Sequence, residues 1–288
     1  MGEFKRDLYK RKHDKQLGIE PLQKMQEMPW FKLLKEDVER GDVFPALRYG
    51  GEIHFYYQGS RISAFQGNTN GELLLDSMDQ NAYRKRKEES DSWAKKTSGD
   101  SRERAELSTL YRKFTPYVQP APSMVLLDVE VGFPCLYIEN KKIYNNTQVD
   151  LLFLDKDTGM LYFIEAKDAG NPEIKRRFAG QSEPELYNSL KIAKQLEKYD
   201  ANLAAREDQI LTAYQNYFSI MREIFDCEIY SGKLSLYNRT KLLVYGKCNS
   251  INSRKSLEAI HTKLGDGLIV YENGLDAVDD LPEKITAG

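Results

Sequence analysis

Two apolar runs, Val149 to Leu154 and Met160 to Ala166, flank Asp155-Lys156-Asp157-Thr158-Gly159, whose Asp, Thr and Gly are turn formers. The pattern predicts a β-hairpin. Every position from Leu151 to Leu154 and from Leu161 to Ile164 is apolar, as in strands buried on both faces at the centre of a sheet. Before the hairpin, Ser123 to Val131 reads as a strand, with Gly132 to Tyr144 as a strand or excursion leading on. After it, Pro184 to about Phe225 reads as one or two long helices. Leu234 to Tyr237 and Lys241 to Tyr245 are strand-like, Ser253 to Leu264 is an amphipathic helix, and Leu268 to Tyr271 is a last strand.

The first third of the chain has a different texture. Residues 1 to about 28 are polar and charged and read as a loosely helical arm. A helix follows from Pro29 to Glu39, stopped at Gly41. Runs at Phe44–Tyr49, Glu52–Tyr57 and Arg61–Phe65, separated by Gly50-Gly51 and Gly59-Ser60, predict a small antiparallel meander. Its Arg48, Tyr56, Tyr57 and Arg61 read as half-buried packing rather than a nucleic-acid surface. Glu72 to Phe114 reads as charged helix, broken near Ser98-Gly99-Asp100, with Leu107, Leu110, Tyr111 and Phe114 at helical spacing. The expected organisation is an N-terminal α+β extension over residues 1–98 and an α/β domain with a mixed sheet over residues 99–288.

Centring the hairpin turn between Asp157 and Thr158 sets Asp150 opposite Glu165, and Lys167 shares a face with Glu165 by the two-residue period of a strand. Like charges opposed on a sheet are destabilising, so the pair asks for a cation. Two carboxylates with room for waters and a substrate phosphate describe a Mg²⁺ site, for which Mn²⁺ substitutes. A lysine beside it stabilises charge developing on a phosphate. The implied chemistry is metal-assisted hydrolysis of a phosphodiester. The competing reading is an edge hairpin whose charges oppose aggregation, and the apolar runs on both strands rank it second.

Composition narrows this picture without redirecting it. The 288 residues are 41% hydrophobic and 30% charged, ordinary values for a globular chain. A net charge of −2 argues against a surface that binds nucleic acid everywhere, and leaves local basic clusters at Lys10-Arg11-Lys12, Arg84-Lys85-Arg86-Lys87 and Lys175-Arg176-Arg177. The third, closest in sequence to Lys167, is the candidate contact to a nucleic-acid backbone. Cys135, Cys227 and Cys248 and the scattered His13, His54 and His261 suit neither a disulfide frame nor a zinc site. No apolar run reaches the roughly 20 residues of a membrane span, and the amino terminus lacks an apolar signal core, so a cytoplasmic protein without membrane contact is expected. No glycine-rich phosphate loop occurs, so no nucleotide cofactor is expected, and a homo-oligomer is left open.

Asp150, then Glu165-Ala166-Lys167 after a strand-turn-strand, resembles the PD-(D/E)XK nuclease superfamily, with Val149 where the family has proline. Gln195-Leu196-Glu197-Lys198-Tyr199 is similar to the Q-x-x-x-Y signature of its RecB-like branch. The resemblance runs from roughly Ser101 to Gly246. It implies a restriction-endonuclease-like αβββαβ core and a Mg²⁺-dependent deoxyribonuclease, in restriction, repair or phage defence. It implies Asp150, Glu165 and the Ala166 carbonyl as metal ligands, Lys167 as the charge-stabilising residue, and Gln195 and Tyr199 beside the metal, placing DNA. A helix glutamate also joins the metal in many members. Glu106 is preferred over Glu103 for that role, with Glu130 on the first core strand as a rival. The alternative is a catalytically inactive relative serving as a nucleic-acid or protein interaction module.

Overall fold

The computed structural model describes residues 4, 25–48, 52–67, 73–75, 79–94, 100–139 and 141–287. In chain order its elements are α1 (Pro29–Glu39), the strands β1 (Val43–Arg48), β2 (Glu52–Tyr57), β3 (Ser60–Gly67) and β4 (Leu73–Leu75), and the helices α2 (Gln80–Ala94) and α3 (Asp100–Phe114). Then come β5 (Met124–Phe133), β6 (Leu136–Ile138), β7 (Lys141–Tyr144), β8 (Thr147–Asp155) and β9 (Met160–Asp168), followed by α4 (Glu183–Ser189) and α5 (Lys191–Phe225). The chain closes with β10 (Ser235–Leu236), β11 (Lys241–Tyr245), α6 (Ile251–Leu264), β12 (Leu268–Tyr271) and α7 (Leu281–Thr286). Two compact units result, one of Phe4–Asp128 with Asp208–Leu234, the other of Val129–Glu207 with Ser235–Gly288. The chain passes between them within β5 and within α5. The expected boundary between residues 98 and 99, and most of the expected N-terminal arm, lie outside the described residues.

In the first unit, β1 to β4 form an antiparallel meander in sequence order. Proline at the first position of α1 has no amide to leave unpaired there, and the helix buries Trp30, Phe31, Leu34 and Val38. Asp37, buried on the same helix, accepts from the Tyr83 hydroxyl at 2.6 Å and the Lys87 ammonium at 2.7 Å and pairs with Arg40, so Lys87 of the second basic cluster is structural. Arg48 donates to the Tyr56 hydroxyl at 2.7 Å and pairs with the buried Asp128 at 3.6 Å, in line with a packing role. The stripe Leu107, Leu110, Tyr111 and Phe114 on α3 is buried as its spacing predicts. One element differs. Leu73–Leu75, expected as the start of a helix, is β4 and pairs with β3, because three consecutive leucines carry no helical period and take the open sheet edge.

The second unit is built on a mixed sheet of order β12-β11-β9-β8-β5, with β10 pairing parallel to β9 at Met160 and Leu161. β8 and β9 are antiparallel across a tight turn, whereas β9, β11 and β12 run parallel and are therefore joined through the helices α5 and α6. β9 is flanked on both sides and is buried at every position from Leu161 to Lys167. The stretch expected as one or two helices is two, α4 and α5, separated by extended Leu190. Helix α5 also leaves helical geometry at Arg206, whose buried guanidinium donates to the Pro134 and Cys135 carbonyls at 3.1 and 2.9 Å. No helix among the described residues is long and apolar enough to cross a membrane.

Candidate functional site

The hairpin register follows from its turn. Asp155 accepts from the Asp157 amide at 2.9 Å and the Thr158 hydroxyl at 2.7 Å, and Gly159 takes the left-handed φ of +73° that closes the loop. Asp155 then faces Met160, and the ladder runs without a slip to Leu151 opposite Ile164. The next step carries Asp150 and Glu165. At that point the Asp150 carboxylate accepts the Ala166 amide at 2.9 Å, so the side chain of one strand holds the backbone of the other.

Lys167, on the same face of β9, places its ammonium 2.5 Å from Glu165 Oε1. Glu165 is 1% exposed, and the Lys167 side chain 11%. Helix α5 brings Gln195 and Tyr199, one turn apart, over this end of β9. Gln195 Nε2 donates to Glu165 Oε1 at 2.8 Å and to the Tyr199 hydroxyl at 2.6 Å. That hydroxyl in turn donates to the Gln148 carbonyl on β8. Tyr199 is 1% exposed, and burial together with the Glu165 charge holds its pKa above the ordinary phenol value.

Burial pushes the Glu165 carboxyl up to about 8, and the Asp150 charge adds to the shift against the opposing pull of Lys167. Burial raises the Asp150 carboxyl as well, partly offset by Lys167 and the Ala166 amide. Burial alone would lower the Lys167 ammonium, but Glu165 and Asp150 outweigh it and leave the pKa raised. The cluster therefore holds its carboxylates short of full compensation by one lysine. Glu165 Oε2 is buried and accepts no hydrogen bond among the described residues.

Of the other expected residues, Ala166 lies between the two charged side chains and is fully buried. Of the rival acids, Glu130 contributes its charge to the rise at Asp150. It sits on β5 with φ of +50°, a left-handed conformation that costs a non-glycine residue roughly 1–3 kcal/mol and clusters at functional sites. Glu106 is half-buried on α3, in the other unit, with Glu103 on the same helix. Among the described residues no three His, Cys, Asp or Glu side chains form a complete ligand set. Lys175, Arg176 and Arg177 are all exposed on the loop after β9. Arg176 is committed to that loop, donating to the Ser189 carbonyl at 2.7 Å.

One participant escaped the sequence reading. Glu173, on the same loop, lies 3.4 Å from the Lys167 ammonium, and its carbonyl accepts the Ile192 amide at 3.2 Å at the start of α5. A lone glutamate in a loop has no periodicity to announce it; only its closeness in sequence to Lys167 was available as a signal.

The raised carboxyl has a consequence for stability. With a folded pKa of about 8 against 4.5 in the free side chain, the folded protein keeps a proton that the unfolded chain has released. The contribution of Glu165 is therefore fully present below pH 4.5 and is lost as pH rises toward 8, by at most about 1.4 kcal/mol per pH unit. Thermal melts in EDTA across that window should show this fall in the wild type and a shallower one in Glu165→Gln. Parallel curves for the two proteins would mean that Glu165 is not held protonated. Comparison with known proteins gives no match, whether to a family model, a curated protein or a solved structure.

Proposed function

We propose that this protein is a metal-dependent phosphodiesterase acting on DNA, a nuclease of the PD-(D/E)XK type. The observation that carries the reading is the Asp150–Glu165 pair at the end of central strands, with the buried Glu165 Oε2 accepting no hydrogen bond among the described residues and one lysine set against two acids. Without a metal the cluster balances its charge by keeping a proton on Glu165, and a divalent ion would take that proton's place. The element order α3-β5-β8-β9-α5-β11 supports a restriction-endonuclease-like core around that site.

The donor set fits a hard divalent ion such as Mg²⁺, with Mn²⁺ as a substitute, because it offers carboxylate oxygens on a site still open to solvent at half-buried Asp150. Asp150 and Glu165 would hold the ion, with the Ala166 carbonyl and Glu130 as further candidates. When bound, such an ion supplies Lewis-acid polarisation of a phosphate and a more acidic water.

The chain's own residues do the rest. Lys167 donates to a phosphate oxygen or to the attacking water once Glu165 is engaged elsewhere, and stabilises the charge that grows as the phosphodiester opens. Gln195 fixes the Glu165 rotamer from the open side. Tyr199 ties α5 to β8 through the Gln148 carbonyl, and its burial gives it a positioning role where the resemblance implied placement of DNA. Lys175 and Arg177 contact the nucleic-acid backbone.

The test is incubation of the purified protein with single- and double-stranded DNA and RNA in Mg²⁺, Mn²⁺ or EDTA. Cleavage of DNA that needs the metal is expected. Binding without cleavage under every metal condition would replace this reading with that of an inactive interaction module.

A further inference from the structure

The loop that follows β9 is exposed without interruption from Lys175 to Gly180, a run that contains Phe178 at 38% exposure. Its backbone is nevertheless fixed on both sides of that ring. The Phe178 amide donates to Asn252 Oδ1 at 3.0 Å, and the Arg176 amide donates to Ser256 Oγ at 3.2 Å, so α6 holds the loop at two points one helical turn apart. The Ala179 amide donates to Gln181 Oε1 at 2.7 Å, and the Arg176 guanidinium reaches the Ser189 carbonyl. A constrained backbone thus holds the ring with more than a third of its surface in water. Next to Asn252 stands Ile251, 58% exposed, at the start of α6. Among the described residues the side chains of Lys175 and Arg177 have no hydrogen-bond or ion-pair partner, while Arg176 between them is spent on the scaffold.

Two uncommitted cations on the residues leading up to a fixed aromatic ring match a chain of alternating phosphates and flat bases. In a duplex the base faces are covered by their neighbours, so such a ring finds nothing to stack on; in a single strand each base offers a π-face. The same loop also reaches the metal-site lysine. Glu173 touches Lys167, buried Ile174 anchors the turn, and the extended chain from Glu173 to Phe178 spans no more than about 18 Å.

We infer that the Lys175–Phe178 loop is a docking surface for an unpaired nucleic-acid strand. Phe178 stacks on a base, and Lys175 and Arg177 take phosphates of the adjoining backbone. The inference rests on the nuclease reading for its purpose, as it makes the substrate a single strand or a duplex with an unpaired end.

Binding of fluorescein-labelled single-stranded DNA, single-stranded RNA of the same sequence, and blunt duplex DNA, measured by anisotropy in EDTA, tests the surface apart from any chemistry. Phe178→Ala should weaken single-strand binding on the order of ten-fold and leave duplex binding unchanged, and Phe178→Trp should keep the preference. Lys175→Ala with Arg177→Ala should weaken all three ligands and flatten the salt dependence. The DNA and RNA arms decide which strand chemistry is preferred. Equal loss on single strand and duplex, no change with Phe178→Ala, or no binding of either single strand would overturn the surface. Phe178-dependent binding without cleavage in Mg²⁺ or Mn²⁺ would sink the nuclease reading and leave the surface standing. Metal-dependent cleavage whose strand preference ignores Phe178 would do the reverse.

Discussion

Asp150→Asn is expected to abolish metal-dependent cleavage while leaving the fold intact. The substitution removes a ligand charge and keeps the shape. An asparagine oxygen can still accept the Ala166 amide that now binds Asp150 at 2.9 Å, so the junction between β8 and β9 survives. Folding should improve slightly in the absence of metal. The Asp150 charge is one of the causes that drive Glu165 up to about 8, second only to burial, so its removal lets Glu165 ionise more easily beside Lys167. A gain on the order of 1 kcal/mol in EDTA is the expected size. Cleavage assays in Mg²⁺ and Mn²⁺, with thermal melts on the same preparation, check both halves. A variant that cuts at the wild-type rate, or that unfolds outright, contradicts the assignment of Asp150 as a ligand.

The site was legible where chemistry and periodicity coincide. A turn of Asp, Thr and Gly fixes the hairpin register, and a strand's period of two then dictates which side chains meet, so the facing of Asp150 and Glu165 and their meeting with Lys167 follow from the chain alone. Gln195 and Tyr199 are one helical turn apart for the same kind of reason. What stayed hidden depends on tertiary packing. Nothing local in the sequence marks the left-handed φ of Glu130, the break of α5 at Arg206, or the ion pair of Glu173 with Lys167. The last helix, α7, was missed because one and a half turns carry too few apolar positions to show a period. Leu281 and Ile285 bury its one face, and the Lys241 ammonium accepts nothing but donates to the Ala287 carbonyl just beyond it at 2.6 Å. Burial lowers the pKa of that lysine, which has two backbone carbonyls and the Tyr237 ring where a carboxylate would normally stand. Such an anchor is visible only once the sheet is assembled.

Lys167→Ala should separate catalysis from metal binding. In the metal-free protein Lys167 is the main positive charge against the acids, 2.5 Å from Glu165 and 3.4 Å from Glu173. Glu165 already holds its proton at neutral pH, so the loss falls on the remaining buried carboxylate, and stability in EDTA should fall by up to about 3 kcal/mol. A divalent ion replaces the missing charge, so Mg²⁺ or Mn²⁺ should restore most of that stability and bind at least as tightly as to the wild type. The cleavage rate should nonetheless drop on the order of 10² or more, because an ammonium placed for the developing charge on the phosphate is gone. Lys167→Arg should not rescue it, since a planar guanidinium cannot fill the space of a compact ammonium between Glu165 and Glu173. Calorimetry for metal affinity, melts with and without metal, and single-turnover cleavage on one preparation read all three effects. Loss of metal affinity and rate in step would make Lys167 a brace for the hairpin rather than a participant in the reaction. Full activity in Lys167→Ala would remove the reason to read Glu165-Ala166-Lys167 as a catalytic triplet, and the charged end of β9 would then stand as a structural cluster alone.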